Sequence, residues 1–181
     1  MSNQIFSSRL NKLRTVLSAQ GLDGILITNL TSIRYICGFT GSAASCLVTQ
    51  DDSYFISDGR YDVQSREQVQ NMERYIDFGS HISIVTKNNL VQNGSNLAFE
   101  SDHTSVSQYR AMADSFPKVV WKSTSMLMEN LQAVKDDSEL DAIRTAVEIT
   151  DAIYAEILPM LKPGTTAVSY THLTLPTILR V

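Results

Sequence analysis

The chain has 181 residues, 43% hydrophobic and 19% charged, which is enough apolar material for one sizeable core. Its net charge is −4, and Lys and Arg are scattered among more numerous acids, which excludes a basic footprint for nucleic acid. No apolar run reaches bilayer-spanning length and residues 1–14 lack the apolar block of a secretory signal, so a cytoplasmic protein with no membrane partner is expected, with Cys37 and Cys46 as buried thiols.

Phe6, Leu10, Leu13 and Leu17 recur at a helical period, and Gly21 is placed to end that helix. Residues 24–27 form a short apolar run that reads as a buried strand. A short helix is expected over 29–35, with Thr31 or Ser32 as its cap, and Gly38 and Gly41 then break the chain around Phe39 and Thr40. Strands follow at 44–48 and 53–56, joined by a turn at Asp51-Asp52. Asp58-Gly59-Arg60-Tyr61 reads as a tight polar turn that leads into a short amphipathic helix over 62–69. Residues 74–78 and 83–85 read as strand candidates, and Asn93-Gly94 as a turn before a strand at 96–100. A helix over 105–114 is stopped by Pro117, followed by a strand at 119–121 and a helix over 125–132. Asp136 and Glu139 have the spacing of a capping box. Leu140, Ile143, Val147, Tyr154, Ile157 and Leu161 then make one apolar stripe, which Pro163-Gly164 ends. Strands alternating with helices imply an α/β layered domain, followed by a long helix that opens something else.

Three segments carry a family resemblance. Asn29-Leu30-Thr31-Ser32-Ile33-Arg34-Tyr35-Ile36-Cys37-Gly38-Phe39-Thr40-Gly41-Ser42 is the first; Phe55-Ile56-Ser57-Asp58-Gly59-Arg60-Tyr61 with Gln64 is the second; residues 135–164 with the following threonines are the third. In this order and separation they resemble the creatinase/prolidase family, which includes Xaa-Pro aminopeptidases and Xaa-Pro dipeptidases. The resemblance implies an α/β fold of the ribonuclease H-like kind, a mixed sheet with flanking helices, followed by the first helix of a pita-bread catalytic domain. The implied boundaries are 1–133 for the amino-terminal domain, 134–166 for the junction helix and the start of the catalytic domain, and 167–181 for a non-native tail. It also implies, for a full-length parent, two divalent metal ions (commonly manganese), a proline-containing peptide substrate, and a homodimer that brings part of one amino-terminal domain near the partner's active site.

The family's metal ligands lie beyond the junction helix, so no catalytic residue, metal ligand or cofactor is expected in this chain and the fragment alone is expected to be inactive. His81, His103 and His172 stand apart from any ligand set, and neighbours such as Asp102 and His103 point apart and read as a turn. Residues 167–181 hold no acid and no helical stripe; they resemble translated adapter sequence from assembled environmental DNA. Arg60 is the leading substrate-binding candidate, in a turn after a strand end. Two readings stand: it pairs with a substrate or partner-subunit carboxylate, or it pairs with Asp58 and holds the turn. Tyr35 and Phe39 flank a glycine turn and are candidates for a pocket wall, against the alternative of core packing. A metal-free creatine amidinohydrolase and a stand-alone binding or dimerisation module are the other functional readings.

Overall fold

The computed structural model of the chain describes residues 2–164 together with Thr166 and Val168. His172 and, apart from Val168, the tail expected at 167–181 lie outside the described residues. Two compact units divide the chain, Met1–Val134 and Lys135–Val181.

The first unit is a mixed α/β layer structure. Its strands are β1 (Gly24–Ile27), β2 (Ser45–Thr49), β3 (Ser53–Ser57), β4 (Glu73–Ile76), β5 (Asn96–Glu100) and β6 (Val120–Thr124). They form one six-stranded sheet in the order β4-β3-β2-β1-β5-β6. β1–β2 and β2–β3 pair antiparallel, whereas β1–β5, β3–β4 and β5–β6 pair parallel. The helices are α1 (Ser2–Ala19), α2 (Leu30–Cys37), α3 (Asp62–Gln68), α4 (His81–Lys87), α5 (Val106–Ser115) and α6 (Leu127–Ala133).

Strand side chains alternate between faces, so the sheet builds a core on each side. Ile25, Ile27, Cys46, Val48, Phe55 and Ala98 point to one face, where α1, α2 and α6 supply Leu13, Leu17, Ile33, Ile36 and Met128. Leu26, Leu47, Ile56, Leu97 and Phe99 point to the other, against Ile84 and Val85 of α4 and Met112 of α5. The central strand β1 is buried along its whole length, as a strand covered on both faces must be. Cys37 and Cys46 are free and buried.

Two local expectations need correction. Residues 83–85 lie in α4 and not in a strand, because Ser80 caps a helix there by accepting the Ser83 amide. The run Ile82-Ser83-Ile84-Val85, with its three β-branched side chains, looks strand-like in composition, but Ile84 and Val85 pack from the helix against the sheet. The cap of α2 is Asn29 rather than Thr31 or Ser32, and its side-chain oxygen accepts from the Thr31 amide at 3.1 Å.

The second unit contains α7 (Asp137–Ile157) and a 3-10 turn over Leu158–Met160. The capping box is present: Asp136 accepts from the Glu139 amide, and Glu139 accepts from the Asp136 amide, both at 3.0 Å. The α-helix ends at Ile157, short of Pro163-Gly164, so Leu161 is not part of its stripe. Pro159 explains the early stop, since it lacks an amide hydrogen and its ring clashes with the carbonyl four residues back. Leu140, Ile143, Val147 and Tyr154 are exposed.

Candidate functional site

The first two motif segments fold against each other at one end of the sheet. β3 ends at Ser57, and Asp58 then caps a single 3-10 turn, Gly59–Tyr61, that runs into α3. Asp58 Oδ1 accepts from the Arg60 amide at 3.0 Å and from Arg60 Nε at 2.9 Å, while Arg60 Nη2 donates to Asp58 Oδ2 at 2.8 Å. The fork holds the Arg60 guanidinium by one edge. Its Nη1 edge has no bonded partner among the described residues, and the side chain is 71% exposed. The hydrogen bonds from Arg60 hold the Asp58 carboxyl at about 2, below its ordinary 3.8. A lowered folded-state value favours folding above 3.8, and this contribution is lost as pH falls from 3.8 through about 2.

The glycine turn after α2 lies beside this one. Gly38 adopts a left-handed conformation (φ 80°) that closes α2, with its amide donating to the Arg34 carbonyl. The Thr40 amide donates to Gln68 Oε1 at 3.0 Å, and Gln64 Nε2 donates to Thr40 Oγ1 at 3.0 Å. The Ser42 and Tyr61 hydroxyls share a hydrogen bond of 2.7 Å, and the Ser42 amide donates to Tyr61 Oη at 3.3 Å. These bonds lower the Tyr61 phenol from its usual value. Beneath them the Phe39 ring stands edge-on to Phe55 and Tyr61, with centroids 4.8 and 5.4 Å apart.

Arg60 is therefore the exposed member of the three candidates. Phe39 is 1% exposed and lies under the two turns. Tyr35 is 8% exposed; its hydroxyl donates to the Leu131 carbonyl at 3.2 Å, and the Arg9 guanidinium stacks 4.3 Å from its ring centroid. The structure brings Arg60 and Phe39 together through Tyr61, whereas Tyr35 bonds to Arg9 of α1 and to Leu131 of α6. Asn29 spends its side chain on the α2 cap. Asp102 and His103 turn to different partners, Ser125 Oγ (2.8 Å) and Glu129 Oε1 (3.1 Å).

Several contributors had no sequence signal. Phe78 is 90% exposed and its ring lies 3.6 Å from where a Cβ on Gly59 would stand, so an open aromatic face adjoins the turn that carries Arg60. Glu100, buried at the end of β5, accepts from the Thr28 and Asn29 amides (both 3.1 Å) and from Ser32 Oγ (2.6 Å), which fixes the start of α2. Arg9 is also buried, and donates to the Tyr35 carbonyl at 2.7 Å.

Gly41 is required by packing and not by an unusual backbone angle. A Cβ there would stand 2.7 Å from Phe39 Cε1 and 2.7 Å from Tyr61 Cε1. Gly41→Ala is expected to destabilise the chain by about 1–3 kcal/mol, because Phe39 is fully buried and moving Tyr61 would disturb its bonds to Ser42. Gly59→Ala, whose Cβ meets only ordinary contact with Phe78, is expected to stay within about 0.5 kcal/mol. Urea titration of both variants checks the contrast.

Among the described residues no group of three or more His, Cys, Asp or Glu is placed to hold a metal ion, and no helix is long and apolar enough to cross a membrane.

Comparison with known proteins agrees with the motifs. The Creatinase/Prolidase N-terminal domain model matches residues 9–134. The chain is 30% identical over 165 residues to the uncharacterized peptidase YqhT of Bacillus subtilis (strain 168), covering 91% of this chain and 46% of that protein. It resembles the Xaa-Pro dipeptidase from Bacillus anthracis with a TM-score of 0.83 and 32% identity, covering 93% of this chain and 47% of that one. It also matches the N-terminal domain of the cytoplasmic peptidase PepQ from Mycobacterium tuberculosis H37Rv (TM-score 0.63, 30% identity), covering 68% of this chain and 98% of that domain. The chain thus spans about half the length of the full peptidases it matches. On the family match and on the mixed six-stranded sheet that carries both motif turns, this chain belongs to the creatinase/prolidase N-terminal domain family.

Proposed function

We propose that this chain works as the amino-terminal, substrate-facing domain of an Xaa-Pro-specific metallopeptidase that hydrolyses peptide bonds preceding proline. The observation that carries the reading is the Arg60 fork. Asp58 occupies one edge of the guanidinium and leaves the other edge without a bonded partner among the described residues, in a turn whose Gly59 lies beside the exposed Phe78 ring. A guanidinium held in one orientation suits a peptide carboxylate, and the neighbouring aromatic face suits the apolar part of the same peptide. Tyr35 and Phe39 act from below in this reading: they pack the helix and turns that hold Arg60 in place. Two divalent metal ions, a homodimer and a cytoplasmic setting belong to the same proposal. The metals would supply the activated water, held by residues of a catalytic domain and not by this one.

The test has two arms. The purified 181-residue chain, given manganese and an Xaa-Pro peptide, is expected to show no chelator-sensitive cleavage. In the protein where this domain is joined to its metallopeptidase domain, Arg60→Ala is expected to lower kcat/KM by about tenfold or more with the melting temperature nearly unchanged, as for loss of a charge-assisted contact made to substrate. Unchanged kinetics with a lowered melting temperature would assign Arg60 to the turn alone. Cleavage by the isolated chain would overturn the division of labour.

A further inference from the structure

Between the sheet and helices α4 and α5, the side chains of the second core leave a cavity of about 200 Å³. Each element that lines it changes character along its length. Leu26 of β1 is followed on the same face by Thr28, and Leu47 of β2 is preceded on the same face by Ser45. Val85 of α4 lies one turn after His81, and Met112 of α5 one turn after Gln108. The polar members meet at one end. Ile27 pairs with Cys46, which sets Thr28 beside Ser45, and Ser45 Oγ is bonded to His81 Nδ1 at 2.8 Å. The strands other than β2 run parallel to one another, and α4 and α5 link β4 to β5 and β5 to β6. Both helices therefore return against these strands and begin at their carboxyl ends, beside Thr28. Ligand crevices of open α/β sheets lie at that end.

The two ends differ in exposure and in chemistry. Leu26, Leu47, Val85 and Met112 are buried, whereas Ser80 and Gln108 are exposed, so the polar end is open to solvent. Thr28 Oγ1 has no bonded partner among the described residues and is not sealed from water. A hydroxyl can both donate and accept. Burial pushes the His81 imidazole below its usual range, against the opposing pull of the Asp58 charge, so at neutral pH it is uncharged. No Asp, Glu, Lys or Arg lines the cavity. One end is therefore apolar, the other is polar without being ionic, and no charge is present to receive an ion.

Size narrows the class further. An apolar cavity of about 150 Å³ accommodates benzene, so this one has room for a ring with a short head group. Apolar atoms around a void forgo contacts that a molecule of matching shape would supply. We propose that this cavity binds a small uncharged aromatic alcohol, with its ring against Leu47, Val85 and Met112 and its hydroxyl bonded to Thr28 at the polar end. The site shares no residue with the Arg60 turn and does not depend on the peptidase reading.

The experiment titrates the 181-residue chain with benzyl alcohol by NMR, with benzoate, benzylammonium and toluene as comparators. Benzyl alcohol is expected to give saturable shifts confined to the cavity lining. Intermolecular NOEs are expected from its ring protons to the methyls of Leu47, Val85 and Met112, and from its methylene to Thr28 and the His81 ring. Benzoate and benzylammonium are expected to bind at least about tenfold more weakly, because neither charge has a counter-ion there. Thr28→Val keeps the shape and removes the hydroxyl. It is expected to weaken benzyl alcohol by about fivefold, the worth of one ordinary hydrogen bond, and to leave toluene unchanged. The proposal is overturned by non-saturating shifts, by NOEs that place the ring at the Thr28 end, by either ion binding as tightly as the alcohol, or by equal alcohol affinity in Thr28→Val. The ligand series and the NOEs use the wild-type chain, so they decide the matter even where the variant folds poorly.

Discussion

Glu100→Ala is expected to lower unfolding stability by on the order of 3–5 kcal/mol, since three donors would lose their acceptor in a buried setting. For a chain of this size that corresponds to a fall in melting temperature of roughly 10 °C. The acid lies at the end of β5 and its partners lie in the link between β1 and α2 and in the first turn of α2, so the bonds join segments 68 to 72 residues apart. Glu100→Gln is expected to cost less, because its amide oxygen can still accept from the two backbone amides while its NH2 turns to Ser32. Thermal melts of the two variants check the order. A loss below about 1 kcal/mol in Glu100→Ala would mean that water reaches the Thr28 and Asn29 amides.

Phe39→Ala is the second large effect, expected at about 3–5 kcal/mol for truncation of a fully buried aromatic ring. The ring fills the space beneath both motif turns and contacts Phe55 and Tyr61 edge-on, so its removal leaves a void flanked by side chains already fixed by other bonds. Phe39→Leu is expected to recover a good part of the loss. Denaturant unfolding gives both values. A wall residue of a substrate pocket would behave otherwise: its truncation would change peptide affinity and leave stability nearly intact.

Much of the fold was legible because its elements carry local signals. The α1 period, the apolar run of β1, the Asp51-Asp52 turn and the Asp136–Glu139 box all became the expected structure. Three differences from expectation are also local: an isoleucine- and valine-rich run hides α4, where the Ser80 cap decides the matter; Asn29, and not Thr31 or Ser32, caps α2; and Pro159 stops α7 inside a stripe that is continuous in sequence. That the sheet is mixed followed from the family resemblance, but its strand order was not legible, since no periodicity dictates that β1 pairs with both β2 and β5. The turn that carries Arg60 was legible for the same local reason: polar residues and a glycine directly after a strand. Arg9, Glu100 and Phe78 were not, because their meaning comes from partners far along the chain. Nothing in the residues around Glu100 announces that it will close over the amides of Thr28 and Asn29.

The position of β1 has a kinetic consequence. On one side it pairs antiparallel with β2, which follows after one helix and itself pairs with β3 across a tight turn, whereas on the other it must wait for β5, which arrives some seventy positions later in parallel. Loop-closure entropy makes the second pairing the slower one. The chain should then assemble as a nucleus of β1, β2 and β3 with α1 and α2, onto which β5, α5 and β6 dock as a late cooperative block. Amide exchange in that block would report its release while the nucleus stays protected.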